Sequence, residues 1–189
     1  MIKIIISIIL LGTISLLSAV TENEIKTEAK KAIMQMGAAL KSHMKQNMKS
    51  GGPIQAANFC IQKAQNITHG INSNYPSGIH VKRISLKYRN PANKPSTDEK
   101  KVLQQIQKSI DTHKAIPKLI IKKITDNTYK VYKPIFIDKG VCLVCHGEVQ
   151  SRDTEAYKLI KMKYPDDKAI NYRMGDLRGA FVATIIKLQ

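Results

Sequence analysis

Apolar residues recur at steps of three and four positions after about residue 20, which predicts a long amphipathic helix. The series comprises Ile25, Ala29, Ile33, Met36, Leu40, Met44 and Met48. Gly51 and Gly52 predict the end of that helix, and Pro53 suits the first position of a second helix that runs to about His69. Two adjoining faces of the second helix carry small and apolar residues: Ile54, Ala57, Ile61 and Ala64, then Ala56, Cys60 and Ile67.

The rest of the chain alternates between extended and helical patterns. Residues 79–88 have an extended pattern whose apolar phase slips between Val81 and Ile84, which predicts a β-bulge there. Further strands are predicted at 118–124, 129–137 and 179–186, and the last is apolar on both faces, like a central strand. Helices are predicted after residues 96–98 and over about 154–163. This order of elements predicts an α+β fold with an antiparallel sheet.

The first twenty residues indicate the compartment. Lys3 precedes an uncharged, mostly apolar stretch from Ile4 to Val20, and Ala19 is a suitable small residue for cleavage. This pattern predicts a secretory signal peptide at residues 1–19 and a periplasmic protein. The alternative is an uncleaved membrane anchor, although the stretch is short for a spanning helix. Export follows from both interpretations.

The chain has 31 Lys and Arg against 14 Asp and Glu in 189 residues, a formal net charge of +17. Such an excess favours an anionic partner. Export makes nucleic acid an unsuitable one, so we expect an acidic redox or signalling protein, or an anionic membrane surface. The length predicts one domain, and the three Cys residues exclude a fully paired disulfide framework within one chain.

The strongest chemical signal is the run Cys142-Leu143-Val144-Cys145-His146. C-x-x-C-H is the attachment pattern of haem c, in which two thiols form thioethers with the vinyl groups and the histidine binds the iron. Cys142 and Cys145 are therefore predicted to anchor one covalent haem, with His146 as proximal ligand. Export supports this prediction, because covalent haem attachment normally takes place outside the cytoplasm.

Two other functions of this run fit less well. A thioredoxin-like dithiol requires the motif at the start of a helix in a βαβ unit, whereas this motif follows a strand pair and precedes Gly147. A zinc site requires a second Cys or His pair at suitable spacing, which the sequence lacks.

Cys60 remains after the other two thiols are assigned to haem. It is either a small buried residue on a helix face or the distal iron ligand, because haem iron accepts His, Met or Cys axially. The competing ligands are Met44, Met48, Met162, Met174, His43, His69, His80 and His113. Arg83 and Arg89 are candidates to pair with the haem propionates, since guanidinium matches carboxylate geometry, and their alternative is a solvated strand edge.

Several segments together resemble a family of bacterial, exported, single-haem c-type domains with a PAS-like fold, the Tll-like haem domains. The matching segments are Gly52-Pro53 with Ala56, Ala57 and Cys60, Val81 to Pro95 with Glu99, Cys142 to Gly147, Lys163 to Ala169, and Gly175 to Ala180. One departure is Asn171, where the family pattern leads us to expect Gly, and it affects a turn rather than a ligand.

The resemblance implies a PAS-like antiparallel sheet flanked by helices, with a long N-terminal helix. The expected organisation is a signal peptide at 1–19, the N-terminal helix at 20–50 and the haem domain at 51–189. The resemblance also implies His/Cys axial ligation of the iron by His146 and Cys60.

An iron with both axial positions filled has no open site for substrate, so we expect an electron carrier or a redox sensor rather than an enzyme. One alternative is a gas (NO or CO) sensor that acts through a separate signalling partner. Another is a haem enzyme such as a peroxidase, which needs a vacant iron position.

Overall fold

The computed structural model describes residues 21–187, so the predicted signal peptide at 1–19 lies outside the described residues. The helices are α1 (Glu22–Gln62), α2 (Ala64–Ser73), α3 (Thr97–Asp111), α4 (Gly140–His146) and α5 (Thr154–Lys163). The strands are β1 (Ile79–Ile84), β2 (Ile120–Lys123), β3 (Thr128–Phe136) and β4 (Leu177–Ile186). None of the helices in residues 21–187 combines the length and the apolar character that a membrane span requires.

The strands form one antiparallel sheet in the order β1-β4-β3-β2, flanked by helices, which confirms the predicted α+β class and its long N-terminal helix. The last strand, β4, lies between β1 and β3, as its apolar pattern predicts. Helix α1 covers the face that carries Val81, Val131, Ala183 and Ile185. Helix α3 covers the opposite face, with Ile84, Tyr132, Ala180 and Val182.

The predicted β-bulge between Val81 and Ile84 is wrong. Strand β1 pairs with β4 in an unbroken register from Ile79 to Ile84. Val81 and Ile84 belong to the two different faces of the sheet, and both faces are covered by helices, so the slip in apolar phase reflects burial on two sides. The irregularity in the sheet occurs instead between β3 and β4, at Ile135 and Phe136.

Gly179, in β4, allows two backbones to approach closely. Its φ of +154° is unfavourable for other residues, and a Cβ there would lie 2.1 Å from the carbonyl oxygen of Ile84. The glycine therefore permits the contact between β4 and the end of β1.

Helix α1 begins at a capping box formed by Thr21 and Glu24 and buries one apolar stripe against the sheet. It is kinked where the sequence predicts its end. Gly52 has φ +65° and ψ −160°, a conformation that is essentially restricted to glycine, and Pro53 starts the next helical stretch. That stretch carries Cys60, and after an interruption at Lys63 the chain continues as α2 to Ser73, beyond the predicted end at His69.

Glu99 attaches α3 to the sheet. Its side chain is fully buried and forms two ion pairs. Lys82 Nζ on β1 lies 2.9 Å from Glu99 Oε2, and Lys130 Nζ on β3 lies 2.9 Å from Glu99 Oε1. It also forms the capping box of α3 with Ser96. Burial opposes ionisation, but the hydrogen bonds from Lys130, the Ser96 backbone and Lys82 outweigh it and lower the pKa of Glu99 to about 2.

We expect Glu99→Gln to lower the free energy of unfolding at pH 7 by about 2–3 kcal/mol. This is less than the loss of a fully buried pair, because both lysines keep some contact with solvent. A carboxyl with a depressed pKa stabilises the fold above its ordinary value of 4.5 and loses this effect as the pH falls towards 2. Urea denaturation of parent and variant at pH 7 and pH 3 should show that their difference in free energy of unfolding is smaller at pH 3.

The control is Asp98→Asn, which changes an exposed carboxyl of the same helix turn and should cost no more than about 0.5 kcal/mol. An equal difference between parent and Glu99→Gln at both pH values would contradict the role of this buried carboxylate.

Candidate functional site

A cavity of about 660 Å³ lies between α1, the sheet and α4. Its volume is in the range of cavities that hold organic ligands, about 300–1,000 Å³. The sequence-predicted site residues all line it: Cys60, Arg83, Arg89, Cys142, Cys145 and His146. A smaller cavity of about 290 Å³, beside Lys87 and Tyr172, contains none of them.

The C-x-x-C-H run forms helix α4. Residues three and four apart lie on the same side of a helix. Cys142 is therefore brought beside both Cys145 and His146, and all three line the cavity. The helical turn thus gives two thiols and one imidazole access to the same ligand.

The imidazole of His146 is held by one backbone carbonyl. Its Nδ1 lies 2.8 Å from the oxygen of Ala169, and because a carbonyl can only accept, Nδ1 carries the proton. Nε2 is then left with a free lone pair, the arrangement found in metal-binding histidines. Burial, followed by repulsion from Arg178 and Arg89, lowers the pKa of His146 well below its ordinary value, so the ring is neutral.

Arg89 ties together the backbone around His146. Its Nε donates to Asp167 Oδ2 at 3.0 Å, and its Nη2 donates to the carbonyls of Cys145 at 2.7 Å and Ala169 at 3.3 Å. Asp167 in turn accepts from the Ala169 N–H at 2.8 Å. Arg89 therefore positions the carbonyl that orients His146. The pairing of Arg89 with a haem propionate stays a prediction. Its Nη1, which is not used in these bonds, is the nitrogen that would make that contact.

The turn at Asn171 closes against the end of α4. Asn171 has φ +57°, a left-handed conformation that asparagine tolerates better than most residues, and its N–H donates to the Gly147 carbonyl at 3.0 Å. Tyr172 donates from its N–H to the His146 carbonyl at 3.0 Å and packs its ring edge-on against the imidazole. The replacement of the expected Gly by Asn171 thus leaves the turn intact.

Cys60 reaches the cavity from the part of α1 that follows the kink. The residue is exposed and forms part of the concave wall of the cavity. Desolvation by the surrounding protein raises the pKa of Cys60, and the positive charges of Arg83 and Arg89 act in the opposite direction. The neighbouring Ala56 and Ala57 are buried and small, which leaves room beside the thiol.

Of the competing axial ligands, only two line the cavity, Met44 and Met48. The six that do not line it are Met162, Met174, His43, His69, His80 and His113. Residues 21–187 contain no cluster of three or more His, Cys, Asp or Glu side chains arranged to hold a metal ion.

Arg178 is a cavity residue that the sequence reasoning missed. It lies on β4, lines the cavity, and donates from Nη1 to Ser85 Oγ at 2.9 Å and to the Lys87 carbonyl at 3.3 Å. Within residues 21–187, neither Arg178 nor Arg83 has a carboxylate within ion-pair distance. A charged residue in an otherwise apolar central strand was the signal that could have identified Arg178.

We expect Arg89→Lys to lower the free energy of unfolding by about 2–3 kcal/mol, because an ammonium group cannot reproduce the planar fork that spans Asp167 and two carbonyls. Urea denaturation measures this loss. The matched control is Arg173→Lys, which changes an exposed pair with Glu148 and should cost at most about 0.5 kcal/mol. Equal losses in the two variants would show that Arg89 is an ordinary surface arginine.

The comparisons with known proteins agree with this architecture. A family model described as Tll0287-like matches residues 18–185. The crystal structure of the cyanobacterial heme-protein Tll0287 is similar in fold, with a TM-score of 0.64 and 22% sequence identity. The match covers 90% of this chain and 99% of that chain. No curated protein matches the chain.

Proposed function

The chain belongs to the Tll0287-like family, and from this we propose that it is an exported, monohaem c-type protein that transfers single electrons or senses redox state. The observation that carries the proposal is that one cavity is lined both by the C-x-x-C-H helix and by Cys60 of α1. The cyanobacterial heme-protein of similar fold supports haem as the ligand. Periplasmic export is part of the proposal and rests on the pattern of residues 1–20.

The residues around the cavity fit a haem c. Cys142 and Cys145 supply two thiols on one helix for thioether bonds, and the neutral His146 presents Nε2 for iron. Cys60 lines the same cavity from a different helix, and its sulfur would serve as a second ligand to the iron. The cavity volume and its small-residue wall at Ala56 and Ala57 leave space for a large flat ligand.

A bound haem would supply an iron that gains and loses one electron. His146 and Cys60 would fill both axial positions, which favours electron transfer or redox sensing over catalysis. Cys60 would hold the iron as its thiolate, and the charges of Arg83 and Arg89 favour that form because they oppose the rise in the pKa of Cys60. A thiolate ligand would favour ferric iron, so the reduction potential would be lower than that of a haem held by His and Met.

Arg83 and Arg178 are suited to the two propionates. Burial lowers the pKa of both guanidinium groups, yet arginine stays charged in proteins, so the cavity contains two cations without carboxylate partners among the described residues. Ferric iron with a dianionic porphyrin and one thiolate is neutral. Two propionates would therefore balance these two cations, with Arg89 Nη1 as an additional donor.

We expect the double variant Cys142→Ser/Cys145→Ser to lose covalent haem, because a hydroxyl forms no thioether with a vinyl group. After maturation in a periplasm that attaches haem c, the parent should keep its haem on a denaturing gel and gain the mass of one haem. The control is Cys60→Ser, which should retain covalent haem. Covalent haem on the double variant, or none on the parent, would contradict c-type attachment.

We expect Cys60→Ala in haem-loaded protein to shift the Soret band and to raise the reduction potential by on the order of 0.1 V or more, because the axial ligand sets the potential. The control is Met44→Ala, which changes a competing residue of the same cavity and should alter neither property. An unchanged spectrum and reduction potential in Cys60→Ala would show that Cys60 is not an iron ligand.

Gas sensing through a separate partner is the second candidate, favoured by the kink at Gly51 and Gly52 immediately before the helical stretch that carries Cys60. Displacement of Cys60 would move this helical stretch about the kink. A spectroelectrochemical titration with and without CO separates the two candidates. Electron transfer predicts reversible reduction with the thiolate retained, whereas gas sensing predicts CO binding together with loss of the thiolate.

A further inference from the structure

Four exposed lysines from three segments meet where the cavity opens to solvent. Lys41 and Lys45 belong to α1, Lys133 belongs to β3, and Lys139 directly precedes α4. Each of them both lines the cavity and is exposed, so together they form its margin. We refer to these four residues as the lysine rim.

The lysine rim is not neutralised by the protein itself. Within residues 21–187, none of its four ammonium groups is in an ion pair. Of the described residues that line the cavity, Asp138 is the only acidic one. If Arg83 and Arg178 pair with the propionates, the lysine rim keeps a clear positive charge after haem binding.

Exposed apolar side chains lie among these lysines. Met34 is 52% exposed and Val141 is 37% exposed, and both line the cavity. Protein interfaces combine a more apolar centre with a polar, solvent-accessible rim, and methionine is enriched in them. Complementary charge accelerates encounter more than it strengthens binding, which suits a partner that must dock and leave quickly.

We propose that the lysine rim is the docking surface for an acidic, one-electron carrier protein. This inference rests on the proposed function and adds the place and the chemistry of the partner. The lysines line a concave surface, which a convex acidic protein surface can enter and a flat bilayer cannot. In the exchange the reduced centre of the carrier loses one electron and the haem iron gains it, with no proton transferred and no bond broken.

The test compares two quadruple variants that carry the same change in net charge. The rim variant is Lys41→Glu/Lys45→Glu/Lys133→Glu/Lys139→Glu. The control variant is Lys100→Glu/Lys108→Glu/Lys114→Glu/Lys118→Glu, whose lysines are exposed, lie away from the cavity and have no ion pair among the described residues. Haem content and the Soret spectrum are measured first for both variants and the parent.

Stopped-flow absorbance then follows haem reduction by a reduced, acidic plant-type ferredoxin at low and high salt. We expect the second-order rate constant at low salt to fall at least about tenfold in the rim variant and less than about threefold in the control variant. High salt should lower the rate constant of the parent to near that of the rim variant, because screening removes the electrostatic attraction. Reduction by the uncharged 5-deazariboflavin radical should be equal in all three proteins.

An equal fall in the rate constant of both variants would overturn the proposal, since the general positive charge of the chain would then explain the attraction. Altered haem content or a shifted Soret band in the rim variant would overturn it by showing that these lysines hold the haem. Loss of binding to phosphatidylglycerol vesicles with an unchanged ferredoxin rate would assign the surface to a membrane instead. A parent protein without haem would refute the proposed function itself, and with it the docking surface.

Discussion

The hydrogen bond from His146 Nδ1 to the Ala169 carbonyl is the contact around which the candidate site is organised. It determines which imidazole nitrogen is free, and it requires that the 167–169 segment stay in place against α4. Arg89 secures this arrangement by bonding to Asp167, Cys145 and Ala169 at once. Two segments that are separate in the sequence, around Cys145 and at 167–169, are thereby held to the loop that carries Arg89.

Positive charge is distributed in two layers around the cavity. The inner layer comprises Arg83, Arg89 and Arg178, and only Arg89 is paired with a carboxylate among the described residues. Isolated charges away from water are costly, so such a layer is most stable with an anionic ligand present. The outer layer is the lysine rim, which remains in water and acts at longer range. The excess charge of the chain thus has two separate physical roles.

Helix α1 links the core to the site. Its first part shares a buried core with the sheet, and its last part carries Cys60. The kink at Gly52 lies between them, in a conformation that only glycine adopts readily. The position of Cys60 therefore depends both on the packing of the long helix and on the angle of this kink.

The sequence alone determined the features that depend on local patterns. The apolar series of α1, the Gly51-Gly52 kink, the central position of β4 and the C-x-x-C-H motif all follow from residue types at short spacings. The tertiary structure decided what depends on long-range contacts. It showed that Val81 and Ile84 face two covered sides rather than a bulge, and that Cys60 and His146 line one cavity. It also identified Arg178 and the link from Arg89 to Ala169, because no local pattern records which distant carbonyl or cavity a side chain will reach.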